Sequence, residues 1–229
     1  MYYKKPIKFF PLFLRKISAK ILLKSYPNYQ PVFQEGKLLE GGDRNCLDRW
    51  PLIKKEIEDN NIKSVIDLGS AEGFYVLRSA KECGCFAIGV DADIRRFCIA
   101  QDQLSLERIA PAGFVLGVID NDMLEKMPNF DMIIFLSVMH HMMYDKGEEY
   151  CKNFMKALRK KINKVMIFEM GQSNELKNKW AKLLPDMGEN PHEWIREFLL
   201  SAGFSSVTKI GESDSYKKDQ NRAIFSVKP

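Results

Sequence analysis

The chain has 229 residues, of which 45% are hydrophobic and 28% are charged, as is typical of one globular domain with an extension. Its net charge of +5 is unevenly distributed, because seven lysines and arginines occur between Met1 and Ser25 with no acidic residue among them. Proteins that bind nucleic acid usually spread basic residues over the binding face. The charge distribution therefore argues against nucleic acid as the main partner.

Five cysteines, an odd number, argue against a disulfide framework and indicate a reducing, cytoplasmic compartment. Cys83 and Cys85 have no second cysteine or histidine pair at a spacing typical of zinc ligands, so no metal site is predicted. No segment approaches the ~20 consecutive apolar residues of a membrane-spanning helix.

Residues 1–42 are predicted to form a basic amphipathic helix and a lid, ahead of a catalytic domain in residues 43–229. From Phe10 to Lys24, apolar residues recur at helical spacing and lysines follow a different face. Such a helix can lie on the inner, anionic surface of a membrane, or it can pack on the domain with its lysines in water. Residues 26–42 contain two prolines and two adjacent glycines, which favour a loop or lid.

From Asp43 onward, helical and strand patterns alternate. Asp43 is a candidate N-cap for a helix that ends near Asn60. The predicted strands are residues 65–68, 86–90, 114–118, 132–136 and 165–168, with helices at 74–81, 94–108 and 147–161. A helix at 191–202 and strands at 206–210 and 223–227 follow, one of them antiparallel at the end of the sheet. The alternation predicts an α/β protein with a mostly parallel sheet and helices on both faces.

A glycine turn follows the first of these strands. Gly69 lets the chain bend sharply and approach a ligand closely, and the free N–H groups of the next helix can bind an anionic group. Asp67 lies beside the turn, where its carboxylate can attract a ligand ammonium. The turn therefore predicts a cofactor site, and its candidate residues are Asp67, Gly69, Ser70, Gly73 and Phe74.

Asp91 ends the next strand, roughly 20 residues later, where an acid can accept hydrogen bonds from ribose hydroxyls. Asp91 and Ala92 are therefore candidate cofactor residues. Gly69 and Gly73 are four residues apart and do not match the fingerprint G-x-G-x-x-G, so NAD is not favoured.

These segments resemble a known family. Residues 67–73 (Asp-Leu-Gly-Ser-Ala-Glu-Gly), Asp91 and residues 129–131 (Asn-Phe-Asp) are similar to class I methyltransferases that use S-adenosylmethionine (SAM). The resemblance extends from about Tyr29 to Val227. It implies a Rossmann-like, seven-stranded, mostly parallel sheet and SAM as the cofactor.

Four further segments resemble the methyltransferase domain of the O-antigen chain-terminating kinase–methyltransferases. They are Tyr29-Gln30, Arg44-x-Cys46-x-x-Arg49, residues 136–141 (Leu-Ser-Val-Met-His-His) and residues 210–213 (Ile-Gly-Glu-Ser). The resemblance implies SAM contacts from the lid by Tyr29, Gln30 and Arg49, from Ile119 and Asp120 beside adenine, and from Leu136 at the methyl-transfer end. Those enzymes cap a bacterial polysaccharide, by methylating a terminal phosphate in the best-known type. The 229 residues include no kinase segment, so a saccharide hydroxyl and a sugar phosphate both stay open as acceptors.

Candidate catalytic residues follow the fourth and fifth strands. Methyl transfer requires the acceptor and the methyl group to be close and aligned, and a hydroxyl acceptor also benefits from a base such as histidine. His140 and His141 lie at the carboxyl edge of the sheet, where ligands bind in such folds, and Glu169 ends the fifth strand at the same edge. Alternatively, one histidine packs on the sheet and the other caps a loop. A phosphate acceptor needs no base, and positive groups then matter more.

The leading hypothesis is a SAM-dependent methyltransferase that O-methylates a saccharide hydroxyl or a terminal sugar phosphate of a bacterial surface polysaccharide such as lipopolysaccharide. An RNA methyltransferase is an alternative, and it would need basic residues around the cleft and exposed aromatic residues, with Trp50 and Trp194 as candidates. A non-catalytic binding subunit is a third possibility. The intact Asp67, Gly69, Gly73 and Asp91 argue against it, because a subunit that binds no cofactor does not need them.

Overall fold

A computed structural model describes residue 21 and residues 29–34, 36–39, 42–44 and 46–229. The predicted helix from Phe10 to Lys24 lies outside the described residues, apart from Ile21. Across the part of the chain that is described, no helix is both long and apolar enough to cross a membrane.

The core of the molecule is a seven-stranded sheet, preceded by a small hairpin. The hairpin consists of antiparallel strands β1 (Val32–Gln34) and β2 (Lys37–Leu39). The sheet strands are β3 (Ser64–Leu68), β4 (Phe86–Asp91), β5 (Ala112–Leu116), β6 (Phe130–Leu136), β7 (Ile162–Glu169), β8 (Ser206–Asp214) and β9 (Asn221–Lys228). Their order is β5-β4-β3-β6-β7-β9-β8, and β9 runs antiparallel to both neighbours. The predicted Rossmann-like, mostly parallel sheet is confirmed.

Helices cover both faces of this sheet. They are α1 (Trp50–Asp59), α2 (Phe74–Cys83), α3 (Ile94–Glu107), α4 (Asn121–Lys126), α5 (Met139–Lys146), α6 (Glu148–Arg159) and α7 (Pro191–Ser201), with a 3₁₀ turn at Lys179–Leu183. Successive strand residues point to opposite faces. In β7, Phe168 joins the core beneath α6 and α7, whereas Ile167 joins the core beneath α1 and α2. Because both faces are buried, the central strands are almost continuously apolar.

The structure corrects one helix boundary and the position of one strand in the sheet. The helix predicted to begin after Asp43 begins instead at Trp50, with Pro51 in its first turn, where a missing N–H costs nothing. The antiparallel strand β9 lies inside the sheet, between β7 and β8, so β8 forms the edge. A short connection joins β8 and β9 as an antiparallel pair, and β9 also pairs with β7 through Met166, Ile167 and Phe168, so β9 lies inside.

Candidate active site

Three cavities meet at the carboxyl edge of the sheet. The Asp91 cavity, of about 280 Å³, is lined by Asp91, Ala92, Ile119, Leu136 and neighbours. A much smaller opening, the Asp67 cleft, is lined by Asp67, Gly69, Arg49, Gln30 and Leu136 among others. The arginine-rich cavity, of about 330 Å³, is lined by residues that include Arg44, Arg96, Arg222, His140 and His141. Tyr29 and Ser137 line all three, so the cavities adjoin.

The glycine turn after β3 is built tightly against its neighbours. Gly69 has a φ of +88°, and a Cβ at this position would lie 2.3 Å from Cγ2 of Val138. The N–H groups of Gly69 and Ser70 both donate to the carbonyl of Val90, at 2.8 and 3.0 Å. Only glycine satisfies both the left-handed backbone and the contact. Ser70, Gly73 and Phe74 support the turn from behind and do not line the three cavities.

Asp67 presents an unpaired carboxyl oxygen at the Asp67 cleft. Its side chain is 2% exposed, and its Oδ2 has no hydrogen-bond partner within the described structure. Burial, with a contribution from the negative charge of Asp91, raises the pKa of Asp67 well above its usual range. A buried carboxylate without a partner is costly, and a bound cation would remove that cost. The cleft therefore fits the ammonium of SAM.

Asp91 is held in place by the backbone around it. Its Oδ2 accepts from the N–H of Ala71 and its Oδ1 from the N–H of Asp93, each at 2.8 Å. Each carboxylate oxygen keeps a second lone pair for a ligand hydroxyl. Ile119 lines the same cavity, whereas the Asp120 carboxylate caps α4 by accepting from the N–H of Met123 at 2.9 Å.

The residues at 29–30 are fastened to the glycine turn by Glu72, a residue that sequence reasoning missed. The N–H groups of Tyr29 and Gln30 donate to the two oxygens of Glu72, at 2.9 and 3.1 Å. Gln30 accepts in turn from the N–H of Phe74 at 3.0 Å through its Oε1. The signal in the sequence is Glu72 itself, a carboxylate within the glycine turn. A charged side chain that becomes buried there needs hydrogen-bonding partners.

Glu169 lies at the centre of a buried charge cluster. Its side chain is fully buried, and Arg44 and Arg49 each contact its Oε2 at 3.0 Å, while Arg222 contacts its Oε1 at 2.7 Å. Burial alone would raise the pKa of Glu169. The guanidinium groups of Arg49, Arg222 and Arg44 outweigh it and hold that pKa well below its usual range. The carboxylate is therefore ionised, enclosed and a poor proton acceptor.

Further contacts hold the arginines of this cluster. Arg49 donates from Nε to Oγ of Ser213 at 2.8 Å, and Arg222 donates to both oxygens of Glu175, at 2.6 and 2.8 Å. Arg44 donates from Nη2 to Oγ of Ser137 at 2.8 Å. However, Nε and Nη1 of Arg44 are buried without a hydrogen-bond partner among the described residues. Two guanidinium nitrogens beside the arginine-rich cavity thus lack an acceptor.

The two histidines have different environments. His140 is buried, its Nδ1 accepts from the N–H of Gly171 at 3.0 Å, and its ring lies 4.5 Å from that of Trp180. Burial and the nearby Arg222 guanidinium lower the pKa of His140 well below its usual range. The ring is therefore neutral with its proton on Nε2, which makes it a hydrogen-bond donor.

His141 lies on the first turn of α5, with its side chain exposed, and lines both the Asp91 and arginine-rich cavities. Partial desolvation, with the charges of Arg222 and Arg96, lowers the pKa of His141. A neutral imidazole between the two cavities can accept a proton. His140 and His141 are adjacent in α5, and both line the arginine-rich cavity.

Known proteins show the same sequence and fold features. No family model matches the chain. The chain is 26% identical over 206 residues to the O-antigen chain terminator bifunctional methyltransferase/kinase WbdD of Escherichia coli. The matched region covers 87% of this chain and 27% of WbdD. A solved structure of WbdD gives a TM-score of 0.78 at 25% identity, over 92% of this chain and 46% of that one. The chain thus spans about a quarter of its curated relative.

Two more distant structures contain S-adenosylhomocysteine (SAH), the product of SAM after methyl transfer. The N-terminal domain of EvdMO1 has a TM-score of 0.63 at 14% identity, over 93% of this chain and 96% of that one. Magnesium protoporphyrin IX methyltransferase from Synechocystis PCC 6803 has a TM-score of 0.57 at 17% identity, over 80% and 83%. These two likenesses show that the chain has the fold of SAM-dependent methyltransferases, and its sequence resembles that of the methyltransferase/kinase WbdD.

Proposed function

We propose that this enzyme methylates an anionic oxygen of a saccharide, and specifically a terminal phosphate on a bacterial surface polysaccharide. The observation that carries the proposal is Arg44, which lines the arginine-rich cavity and whose Nε and Nη1 are buried without a hydrogen-bond partner among the described residues. Each of these two donors can form a strong charge-assisted hydrogen bond with a phosphate oxygen. The name of WbdD, a chain terminator of O-antigen, supports a polysaccharide as the class of acceptor.

The charges lining the arginine-rich cavity support the same choice. The residues that line this cavity include three guanidinium groups, those of Arg44, Arg96 and Arg222, and one carboxylate, that of Asp43. Glu169 does not line this cavity, because its oxygens are enclosed by the guanidinium groups. We infer that Glu169 positions Arg44 and Arg49 and does not itself contact the acceptor.

We propose that SAM occupies the Asp91 cavity and the Asp67 cleft. Asp67 would bind its ammonium, and Asp91 its ribose hydroxyls. The other proposed cofactor contacts line these two cavities and are Tyr29, Gln30, Arg49, Gly69, Ala92, Ile119 and Leu136. The remaining proposed residues, Ser70, Gly73, Phe74 and Asp120, do not line them and would support the turns that carry these contacts. SAM supplies an electrophilic methyl group on a sulfonium. The protein's part is to hold the acceptor oxygen in line with that methyl group.

A phosphate oxygen is already anionic, so its methylation needs no general base. His140, with its proton on Nε2, would donate a hydrogen bond to the bound acceptor. A saccharide hydroxyl is the second candidate acceptor, because the neutral His141 lies between the two cavities, where a base would act.

We also propose that residues 1–42 form a basic helix and a lid, and that Tyr29 and Gln30 attach the lid to the domain of residues 43–229. The basic residues before Ser25 would hold this segment at an anionic membrane surface, where surface polysaccharides are assembled.

Transfer of labelled methyl groups from SAM tests the acceptor. We expect mannose, glucose or galactose phosphates to be methylated, and the same sugars without phosphate to react at least about tenfold more slowly. Arg44→Met should lower kcat/KM for the sugar phosphate by about 10- to 100-fold, since it removes two charge-assisted hydrogen bonds. Arg159→Met, on the outer helix α6, is the matched control and should leave kcat/KM unchanged.

Two results would contradict this assignment of Arg44. Equal rates with phosphorylated and unphosphorylated sugars would favour the hydroxyl acceptor and His141 as its base. Weaker binding of SAH by Arg44→Met, with unchanged binding of 5′-methylthioadenosine, which lacks the amino-acid part, would mean that Arg44 binds the SAM carboxylate and not the acceptor.

A further inference from the structure

We propose that a cavity beside the active site, the amide cavity, binds neutral sugar residues of the acceptor chain. It has a volume of about 300 Å³ and lies between the segment after β7, the start of α7 and the start of β9. The inference rests on the proposed saccharide acceptor. It adds a second contact, one that recognises the polymer and not its methylated end.

The chemistry of the lining indicates a neutral, hydroxyl-rich ligand. Five of its residues carry a carboxamide: Gln172, Asn174, Asn190, Gln220 and Asn221. A carboxamide presents donors and an acceptor in one plane, so it can bind two neighbouring hydroxyl groups together. Glu189 adds acceptor oxygens, and neither lysine nor arginine occurs among the lining residues. The amide cavity therefore differs in charge from the arginine-rich cavity.

Contacts within the protein fix several of these amides. Gln172 is 1% exposed and donates from Nε2 to the carbonyl of Asn221 at 3.1 Å. Asn174 donates from Nδ2 to Oε1 of Gln220 at 3.4 Å, and Asn190 accepts the N–H of Glu193 at 3.2 Å. Groups held in one geometry before binding lose less entropy when a ligand binds.

Some amide groups remain available for a ligand. The Oδ1 of Asn174 is buried and has no partner within the described structure, so a ligand hydroxyl would satisfy it. The cap uses only Oδ1 of Asn190, which accepts the N–H of Glu193, and leaves its Nδ2 for a ligand oxygen. These free donors and acceptors require a ligand that offers both, as a sugar hydroxyl does.

The amide cavity and the arginine-rich cavity are lined by different residues of the same two segments of the chain. Gln172 and Asn174 line the amide cavity, while Asn178 and Trp180 of the same segment line the arginine-rich cavity. In β9, Asn221 faces one cavity and its neighbour Arg222 the other, because successive strand residues point to opposite faces. Because the same two segments carry both linings, we infer that a polymer whose end reaches Arg44 extends to the amide cavity.

Saturation-transfer NMR of the full chain with SAH present tests the proposal. The probes are neutral tetrasaccharides of mannose, glucose and galactose. We expect at least one to bind, and the double variant Asn174→Ala/Gln220→Ala to weaken it by about tenfold, the effect of one or two lost hydrogen bonds. The matched control is Asn129→Ala/Asn153→Ala, which removes two exposed asparagine side chains far along the sequence from the amide cavity.

Binding of none of the three tetrasaccharides, or equal binding by wild type and the Asn174→Ala/Gln220→Ala variant, would overturn the amide cavity as a saccharide site. Two further outcomes distinguish failure of the proposed function from failure of the inference about the amide cavity. If tetrasaccharides bind but no sugar phosphate is methylated, the amide cavity stands and the phosphate acceptor is wrong. If sugar phosphates are methylated but no tetrasaccharide binds, only the inference about the amide cavity fails.

Discussion

Replacing Glu169 by glutamine is expected to lower the free energy of unfolding by about 3–5 kcal/mol, because the substitution leaves buried guanidinium groups uncompensated. Arg44, Arg49 and Arg222 converge on this one carboxylate, and all four side chains are at most 3% exposed. Glu175 still pairs with Arg222 in the variant, whereas Arg44 and Arg49 lose their only ion-pair partner among the described residues. Urea unfolding curves of the two proteins measure the difference.

The pH dependence of that difference follows from the lowered pKa of Glu169. In the unfolded chain the group titrates near its ordinary pKa of 4.5. Its contribution to stability is therefore complete above that value, and it is lost as the pH falls towards the lower pKa of the folded state. The gap in unfolding free energy between wild type and Glu169→Gln should be largest near neutral pH and should shrink in acid.

Glu193→Gln is the matched control, because Glu193 forms an exposed ion pair with Arg196. Exposed pairs contribute little to stability, so no measurable change in the urea midpoint is expected. If Glu169→Gln unfolds at the same urea concentration as wild type, the charge cluster does not stabilise the fold.

Gly69→Arg is expected to weaken SAH binding by more than about 100-fold, equivalent to roughly 2.7 kcal/mol. A Cβ at Gly69 already lies 2.3 Å from Cγ2 of Val138, and a longer side chain would extend towards the Asp67 cleft and the Asp91 cavity that Gly69 lines. The bound ligand stabilises the folded protein, so the measurement is the rise in Tm on addition of SAH. That rise should disappear in the variant.

Gly147→Arg separates loss of the site from backbone strain. Gly147 has a φ of +85°, close to the +88° of Gly69, but no atom lies within 4 Å of a Cβ placed there. Both variants place a non-glycine residue at a positive φ, a backbone strain that costs about 1–3 kcal/mol. We expect Gly147→Arg to lower the Tm without SAH and to keep the full SAH-induced rise. An SAH-induced rise that survives in Gly69→Arg would place the cofactor elsewhere.

The sheet and the cofactor turn could be predicted from the sequence because their signals are local. The apolar run of residues 132–136 becomes the centre of β6, and the glycine turn lies directly between β3 and α2. Asp67 and Asp91 end neighbouring parallel strands, and Asp67 pairs in register with Gly89, two residues before Asp91. Strand order thus brings the two acids to one edge.

The charge cluster could not be predicted because its contacts join distant parts of the chain. Arg44 lies 125 residues from Glu169, and Arg222 lies 53 residues beyond it. The helix expected to begin after Asp43 is displaced to Trp50, and in the structure Arg44 and Arg49, just ahead of it, reach Glu169. Tertiary contacts of this kind override local capping signals. The short helices α4 and α5 also lack enough turns to show a clear period.

The most direct test of the SAM site is a calorimetric titration of the full chain with SAH. We predict one molecule bound per chain with a Kd of roughly micromolar order. Binding should weaken in Asp67→Asn, which removes the charge that would pair with the SAH ammonium. The cofactor site at the ends of β3 and β4 would be contradicted if millimolar SAH produced no heat of binding and did not compete with SAM.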